Sequence, residues 1–289
     1  MLRMTLAVGF CVILAAISAQ AQPSVQPDIK LDLAYGPDPA QRLDLCRPAA
    51  GQPGPHPGVV MIHGGYWTMG DKSMYAQLCK GAASEGMVAA AINYRLANDD
   101  PHNRWPAQLV DAQLAVRWLR AHAAEYGINP AHICALGDSA GGQLAVFLAA
   151  LDRPMPGDHA GELAGISSSV ACAVDNFGPV DLSADTYWPP DQKLFGNQDR
   201  TEVKDQERSA SPIFVVGPHT APLMIAHGRD DKAVSLEQST QLADRLKSLH
   251  VPVKMVVLNA GHEFSGLPPQ ELGTILQQEL DFIKSARPR

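Results

Sequence analysis

The sequence predicts an α/β protein with a mostly parallel central sheet and helices on both faces. Three observations carry this. Short uninterrupted apolar runs rich in Val and Ile recur along the chain, as strands buried on both faces require. Stretches with helical periodicity lie between most of them, which is the pattern of βαβ units. Small residues, glycine above all, cluster where several of the runs end. With 289 residues and 46% apolar composition, the chain has enough material for a large core.

Residues 1–21 stand apart. They open on Met1-Leu2-Arg3-Met4, continue as an apolar run from Thr5 to Ala16, and close on Ala19-Gln20-Ala21. A basic start, a short apolar stretch and an A-x-A site read as a secretory signal. The run is short for a bilayer span and lacks stop-transfer charges. The expectation is export to the periplasm or the medium, with no stable membrane insertion after cleavage. Residues 22–289 are then expected to form one domain.

Within it, Lys30 to Tyr35 and Arg42 to Cys46 alternate apolar and polar residues, as half-exposed antiparallel strands do. The buried strands are expected at Val59–Ile62, Met87–Ile92, Ile133–Leu136, Val170–Val174, Leu223–Ala226 and Val253–Leu258. A helix is expected from Pro106 to a stop at Gly127, with Val110, Leu114 and Trp118 on one face. Others are expected from Ala140 to about Leu151, after Ser235 with Gln238 at capping-box spacing, and from about Pro269 to Lys284. Residues 181–217 break the rhythm and read as a small cap insertion over the sheet.

The formal net charge of -7 leaves no basic field to attract phosphate, which argues against nucleic acid or an anionic membrane as a partner. The mature chain keeps Cys46, Cys79, Cys134 and Cys172, without C-x-x-C spacing. Cys134 and Cys172 read as small core residues on buried strands, and Cys79 as free or paired; an exported chain could oxidise one or two pairs, and sequence does not choose among them. No ligand cluster calls for a metal, and no cofactor is expected.

Ligands of doubly wound sheets bind beyond the carboxyl ends of the strands, so the residues there carry the functional argument. Gly137-Asp138-Ser139-Ala140-Gly141-Gly142 follows one strand and opens a helix. Its small residues, Gly137 and Gly141 among them, permit a strained turn that lifts the Ser139 hydroxyl above the sheet. Asp138 suits either fixing this turn or standing exposed on it. His63-Gly64-Gly65-Tyr66-Trp67 follows another strand, and its backbone N–H groups can join that of Ala140 around an oxyanion. A serine nucleophile needs a base oriented by an acid. Asp230 and Asp231 follow the penultimate strand and His262 the last, in the order serine, acid, histidine. His227 is the rival base. Trp67, Tyr187, Trp188 and Phe195 are candidate walls of a substrate pocket.

From about Leu43 onward the chain resembles α/β-hydrolases of the hormone-sensitive-lipase-like and bacterial feruloyl-esterase-like carboxylesterase group. The resemblance rests on His63-Gly-Gly-Tyr-Trp67, Asn93-Tyr-Arg95, Gly137-Asp-Ser-Ala-Gly-Gly142, His227-Gly-x-x-Asp231-x-x-Val234 and Gly261-His262. It implies Ser139, Asp231 and His262 as the triad, so Asp231 over Asp230. It implies oxyanion donors at Gly65 and Tyr66 beside Ala140, with Gly64 shaping the turn. Tyr66 departs from the H-G-G-G form. The implied activity is hydrolysis of small to medium carboxylic esters, free or linked to polysaccharide, through an acyl-enzyme. The H-G-G-Y-W loop also resembles arylformamidases, which keeps an amide substrate as an alternative. A non-catalytic binding protein is the alternative of another class; retention of all three triad candidates weighs against it.

Overall fold

The computed structural model describes residues 26–158, 160–184, 192–196 and 203–288. The expected signal at 1–21 and the pocket candidates Tyr187 and Trp188 lie outside the described residues.

The chain begins with β1 (Asp28–Ala34) and β2 (Arg42–Arg47), paired antiparallel as their alternation predicts. Then follow β3 (His56–Ile62), α1 (Ala76–Ser84), β4 (Val88–Ile92), α2 (Ala107–Ala121), α3 (Ala123–Tyr126), β5 (Ile128–Asp138), α4 (Ala140–Ala150) and β6 (Ala173–Asn176). After a segment containing the short α5 (Lys204–Ser209) come β7 (Leu223–Gly228), α6 (Leu236–Ser248), β8 (Val253–Leu258) and α7 (Pro269–Ser285).

The strands form one sheet in the order β1-β2-β4-β3-β5-β6-β7-β8. From β4 to β8 every pairing is parallel, and β2 joins β4 antiparallel. Strands β3 through β7 are apolar and almost wholly buried, because apolar clusters cover the sheet on both faces. One cluster includes Leu109, Val116, Leu144 and Phe147 from α2 and α4; the other includes Cys79, Ala82, Leu280 and Ile283 from α1 and α7. The order reverses at β3: β4 lies on one side and β5 on the other. The carboxyl ends of β3 and β5 therefore flank the crevice where such sheets bind ligands.

Several elements differ from the sequence reading. The run at Val253–Leu258 is an edge strand, and Val257 is 40% exposed. Val253 and Met255 pack against one apolar cluster and Val256 and Leu258 against the other, while Lys254 and Val257 are exposed. The helix from Pro106 breaks at His122, and the second piece ends at Gly127 with φ 70°. Every residue of α2 from Ala107 to Leu119 is buried, so it has no single apolar face. Ser235 caps α6 through the Glu237 amide at 3.2 Å. Gln238 does not complete a capping box: its Oε1 accepts from the amides of Val180 and Asp181 at 2.9 and 2.7 Å.

The cysteines are paired, Cys46 with Cys79 and Cys134 with Cys172, with Cα separations of 5.7 and 4.8 Å. Cys134 and Cys172 are core residues, as the sequence suggested, and the pairing that the sequence left open joins them to each other. Adjacent parallel strands bring their backbones close enough for a bridge, a contact that residues 38 apart in sequence do not advertise.

Candidate active site

Ser139 sits between the end of β5 and the start of α4, at φ 52° and ψ -117°. A non-glycine residue held there costs roughly 1–3 kcal/mol, so the surroundings must enforce it. The Ser139 amide donates to the Asn176 carbonyl at 2.8 Å, and its carbonyl accepts from the Gln143 amide at 3.1 Å. Gly141 lies so close to β3 that a side chain would strike the Ile62 carbonyl. Gly137 likewise faces the Gly141 backbone. Strand, turn and helix can interlock only with small residues at these positions.

His262, just beyond β8, brings its Nε2 to 3.1 Å from the Ser139 Oγ. Its Nδ1 lies 2.7 Å from Oδ2 of Asp231, which fixes the proton on Nδ1 and turns the Nε2 lone pair toward the serine. The other Asp231 oxygen accepts from the amides of Ala233 and Val234 at 2.8 and 2.9 Å. Burial pushes the Asp231 carboxyl up, but hydrogen bonds from His227, His262 and the Val234 amide outweigh it and hold the group well below the usual carboxylate range. Asp230 is exposed, and its amide is tied to the Ala260 carbonyl. The geometry therefore brings Ser139, His262 and Asp231 together and leaves Asp230 outside.

His227, the rival base, is fully buried. Its Nδ1 meets the Ser239 Oγ at 2.7 Å and its Nε2 meets the Val234 carbonyl at 2.9 Å, so neither nitrogen faces Ser139.

The loop after β3 turns sharply: Gly65, Tyr66 and Trp67 have φ of 110°, 53° and 63°. Among the described residues the amides of Gly65, Tyr66 and Ala140 have no hydrogen-bond partner. The Gly64 amide is instead taken by Oδ2 of Asp138 at 3.2 Å. That contact separates the turn-shaping glycine from the amides left free. Asp138, which sequence left open between two readings, faces inward, and its Oδ1 also accepts from the Tyr75 hydroxyl at 2.5 Å. Burial raises its carboxyl above the ordinary value against these donors. Trp67 and Phe195, expected in a pocket wall, are only 1% and 4% exposed and pack in a cluster with Ala140, Leu182, Leu194 and Val234. The Trp67 Nε1 donates to Gln143 Oε1 at 3.1 Å, and Gln143 donates onward to the Ala210 carbonyl at 2.7 Å. The sequence reading missed Gln143, Tyr75 and Ser239; a polar residue inside an apolar helix start was the one available sign, at Gln143.

Comparison with known proteins identifies the family and the fold. Residues 43–246 fit the BD-FAE family model, a span that ends before His262. Over 224 residues the chain is 33% identical to Esterase LipC of Mycobacterium tuberculosis, covering 74% of this chain and 54% of that protein. It is 32% identical over 227 residues to the probable carboxylic ester hydrolase LipM of the same organism, covering 75% and 52%. The chain thus spans about half the length of these relatives. Among solved structures, the thermophilic esterase Est2 of Thermogutta terrifontis with propionate bound superposes with TM-score 0.71 at 27% identity, covering 91% of this chain and 97% of that one. A truncated carbohydrate esterase from gut microbiota shares the fold at TM-score 0.76 and 23% identity, covering 90% and 99%. The architecture is the α/β-hydrolase fold, and the chain belongs to the BD-FAE family.

Proposed function

We propose that the protein is a serine carboxylesterase acting on small to medium esters through an acyl-enzyme. The observation that carries this reading is the line Asp231–His262–Ser139, at 2.7 and 3.1 Å, beside three unpaired amides. Ser139 Oγ attacks the ester carbonyl as its proton passes to Nε2 of His262. The carbonyl oxygen becomes an oxyanion facing the amides of Gly65, Tyr66 and Ala140, at the N-terminus of α4. Asp231 holds the imidazole and stabilises the imidazolium. His262 returns the proton to the departing alcohol oxygen as the C–O bond breaks. Water, deprotonated by His262, then releases the acid and restores Ser139. The relatives named as esterases support the reading. Residues 22–289 act as one catalytic domain, and 181–217 as its cap.

We further infer export. The sequence of residues 1–21 supports it, as do two disulfides, which persist in oxidising compartments. Amino-terminal sequencing of the mature protein from the periplasm or medium should begin at Gln22; an intact Met1 would overturn the reading.

The function is tested with p-nitrophenyl esters from acetate to palmitate, methyl ferulate, acetylated xylan and N-formylkynurenine. Turnover of short esters is expected, with a fluorophosphonate labelling Ser139. Ser139→Ala should leave less than about 1% of turnover with unfolding unchanged. Turnover of N-formylkynurenine alone would replace the ester by an amide.

A further inference from the structure

His227 is excluded as the base by its burial, yet it touches the site. Its Nε2 is 2.9 Å from the Val234 carbonyl and 3.3 Å from Oδ2 of Asp231, the oxygen that also holds His262. Both neighbours of this nitrogen are acceptors, so it carries a proton. In the neutral ring Nδ1 is then an acceptor, and the Ser239 hydroxyl, 2.7 Å away on α6, donates to it. The other Asp231 oxygen is already filled by two amides. The division of negative charge on Oδ2 therefore depends on two histidines, one facing Ser139 and one facing the interior.

We propose that His227 and Ser239 are positioning residues for the ester-hydrolysing triad: the His227 Nε2–H, shared between the Val234 carbonyl and Asp231 Oδ2, limits the charge that Asp231 presents to His262, and the Ser239 hydroxyl, bound to Nδ1, holds the ring so that Nε2 faces Asp231. The proposal rests on the esterase reading and places Ser239 and His227 behind the Asp231–His262–Ser139 line, with His227 Nε2 at 2.9 Å from the Val234 carbonyl and 3.3 Å from Asp231 Oδ2. Removing the His227 donor leaves Asp231 more basic. Asp231 then holds the His262 imidazolium more strongly, and the acid limb of activity moves to higher pH. Among the described residues, Asp175 and Phe177 also face His227. Asp175 on β6 interacts with it electrostatically, and burial raises that carboxyl to about 7. The Phe177 ring stands edge-on at 6.5 Å, and at 4.8 Å from His262. Asp175 acts on the same ring, so its charge needs its own control.

The test compares His227→Phe, His227→Gln and Ser239→Ala with the parent, and adds Asp175→Asn. The readouts are the pH profile of kcat/KM on p-nitrophenyl acetate and the low-field NMR proton between His262 and Asp231, followed against pH. His227→Phe and Ser239→Ala should move both transitions up by about half a pH unit or more and lower kcat about five-fold with KM unchanged. His227→Gln, whose amide can still donate to Asp231, should restore most of the loss, and Asp175→Asn should leave the shift in place. If His227→Phe does not fold, Ser239→Ala alone decides. Folded variants whose transitions stay at the parental pH would overturn the proposal. So would a shift that disappears in the Asp175→Asn background. Loss of ester turnover in the parent would sink the esterase reading only, because the NMR proton still reports on Asp231.

Discussion

Asp138 shows how one side chain can serve two loops. Its carboxylate takes the Gly64 amide on one oxygen and the Tyr75 hydroxyl on the other, joining the turn after β3 to the turn after β5. Asp138→Ala should release both. The expected result is a loss of about 1–3 kcal/mol in urea unfolding, with a fall in kcat larger than any rise in KM. Asp231→Asn should lower turnover by about three to four orders of magnitude, and Asp230→Asn by less than about two-fold. Equal losses at the two positions would remove the assignment of the acid. Ser139, Asp231 and His262 were legible because each follows a strand by one to a few residues, and strand ends converge in this architecture. Tyr75, Ser239 and Gln143 were not. Their contacts run from helices or helix-like turns to strands and loops, and a single sequence does not name the partner, even where a polar residue in an apolar helix start marks Gln143.

At the level of elements, α7 deserves a measurement because of what it buries. Glu279 is fully buried where α7 meets β3 and β6, beside the Asn176 side chain, whose hydrogen bonding only partly offsets the burial. Burial, with the nearby Asp138 charge, raises its carboxyl from 4.5 to about 8. Between those values the folded chain keeps a proton that the unfolded chain has released. Stability is therefore lost as pH rises through this window, by up to about 1.4 kcal/mol per pH unit. The melting temperature should fall from pH 5 to 8, and Glu279→Gln should flatten that fall. Asp231 acts in the opposite sense: its lowered carboxyl favours folding at neutral pH and loses that contribution on acidification. The order of strands and helices was legible from periodicity. The exposure of β8 was not, because a run of apolar residues looks the same at a sheet edge as at its centre until neighbours are placed.

Across the whole molecule, the disulfides and the site occupy different ends of the sheet. Cys46 pairs in register with Ala89 near the start of β4, and Cys172 precedes β6, whereas the reactive groups follow the carboxyl ends of β3, β5, β7 and β8. With partners 33 and 38 positions apart in sequence, each bridge should contribute about 2–4 kcal/mol by restricting the unfolded chain. Replacing Cys46 and Cys79 together by Ala should lower the urea midpoint by a corresponding amount and leave kcat at 25 °C within about two-fold. A large loss of activity in the folded variant would show that the bridge reaches the site.

The segment between β6 and β7 is closed at its own base. The Leu182 amide donates to the Ser211 hydroxyl at 2.7 Å, Gln238 clasps Val180 and Asp181, and Gln143 holds the Ala210 carbonyl. Entry and exit are thus fastened to each other and to the scaffold by contacts outside the intervening stretch. The layout suits transplantation: with Leu194, Phe195 and Val203 kept, because they pack with Trp67 and Ala140, the rest of the sequence between Leu182 and Ala210 could be diversified as a library and selected on new esters.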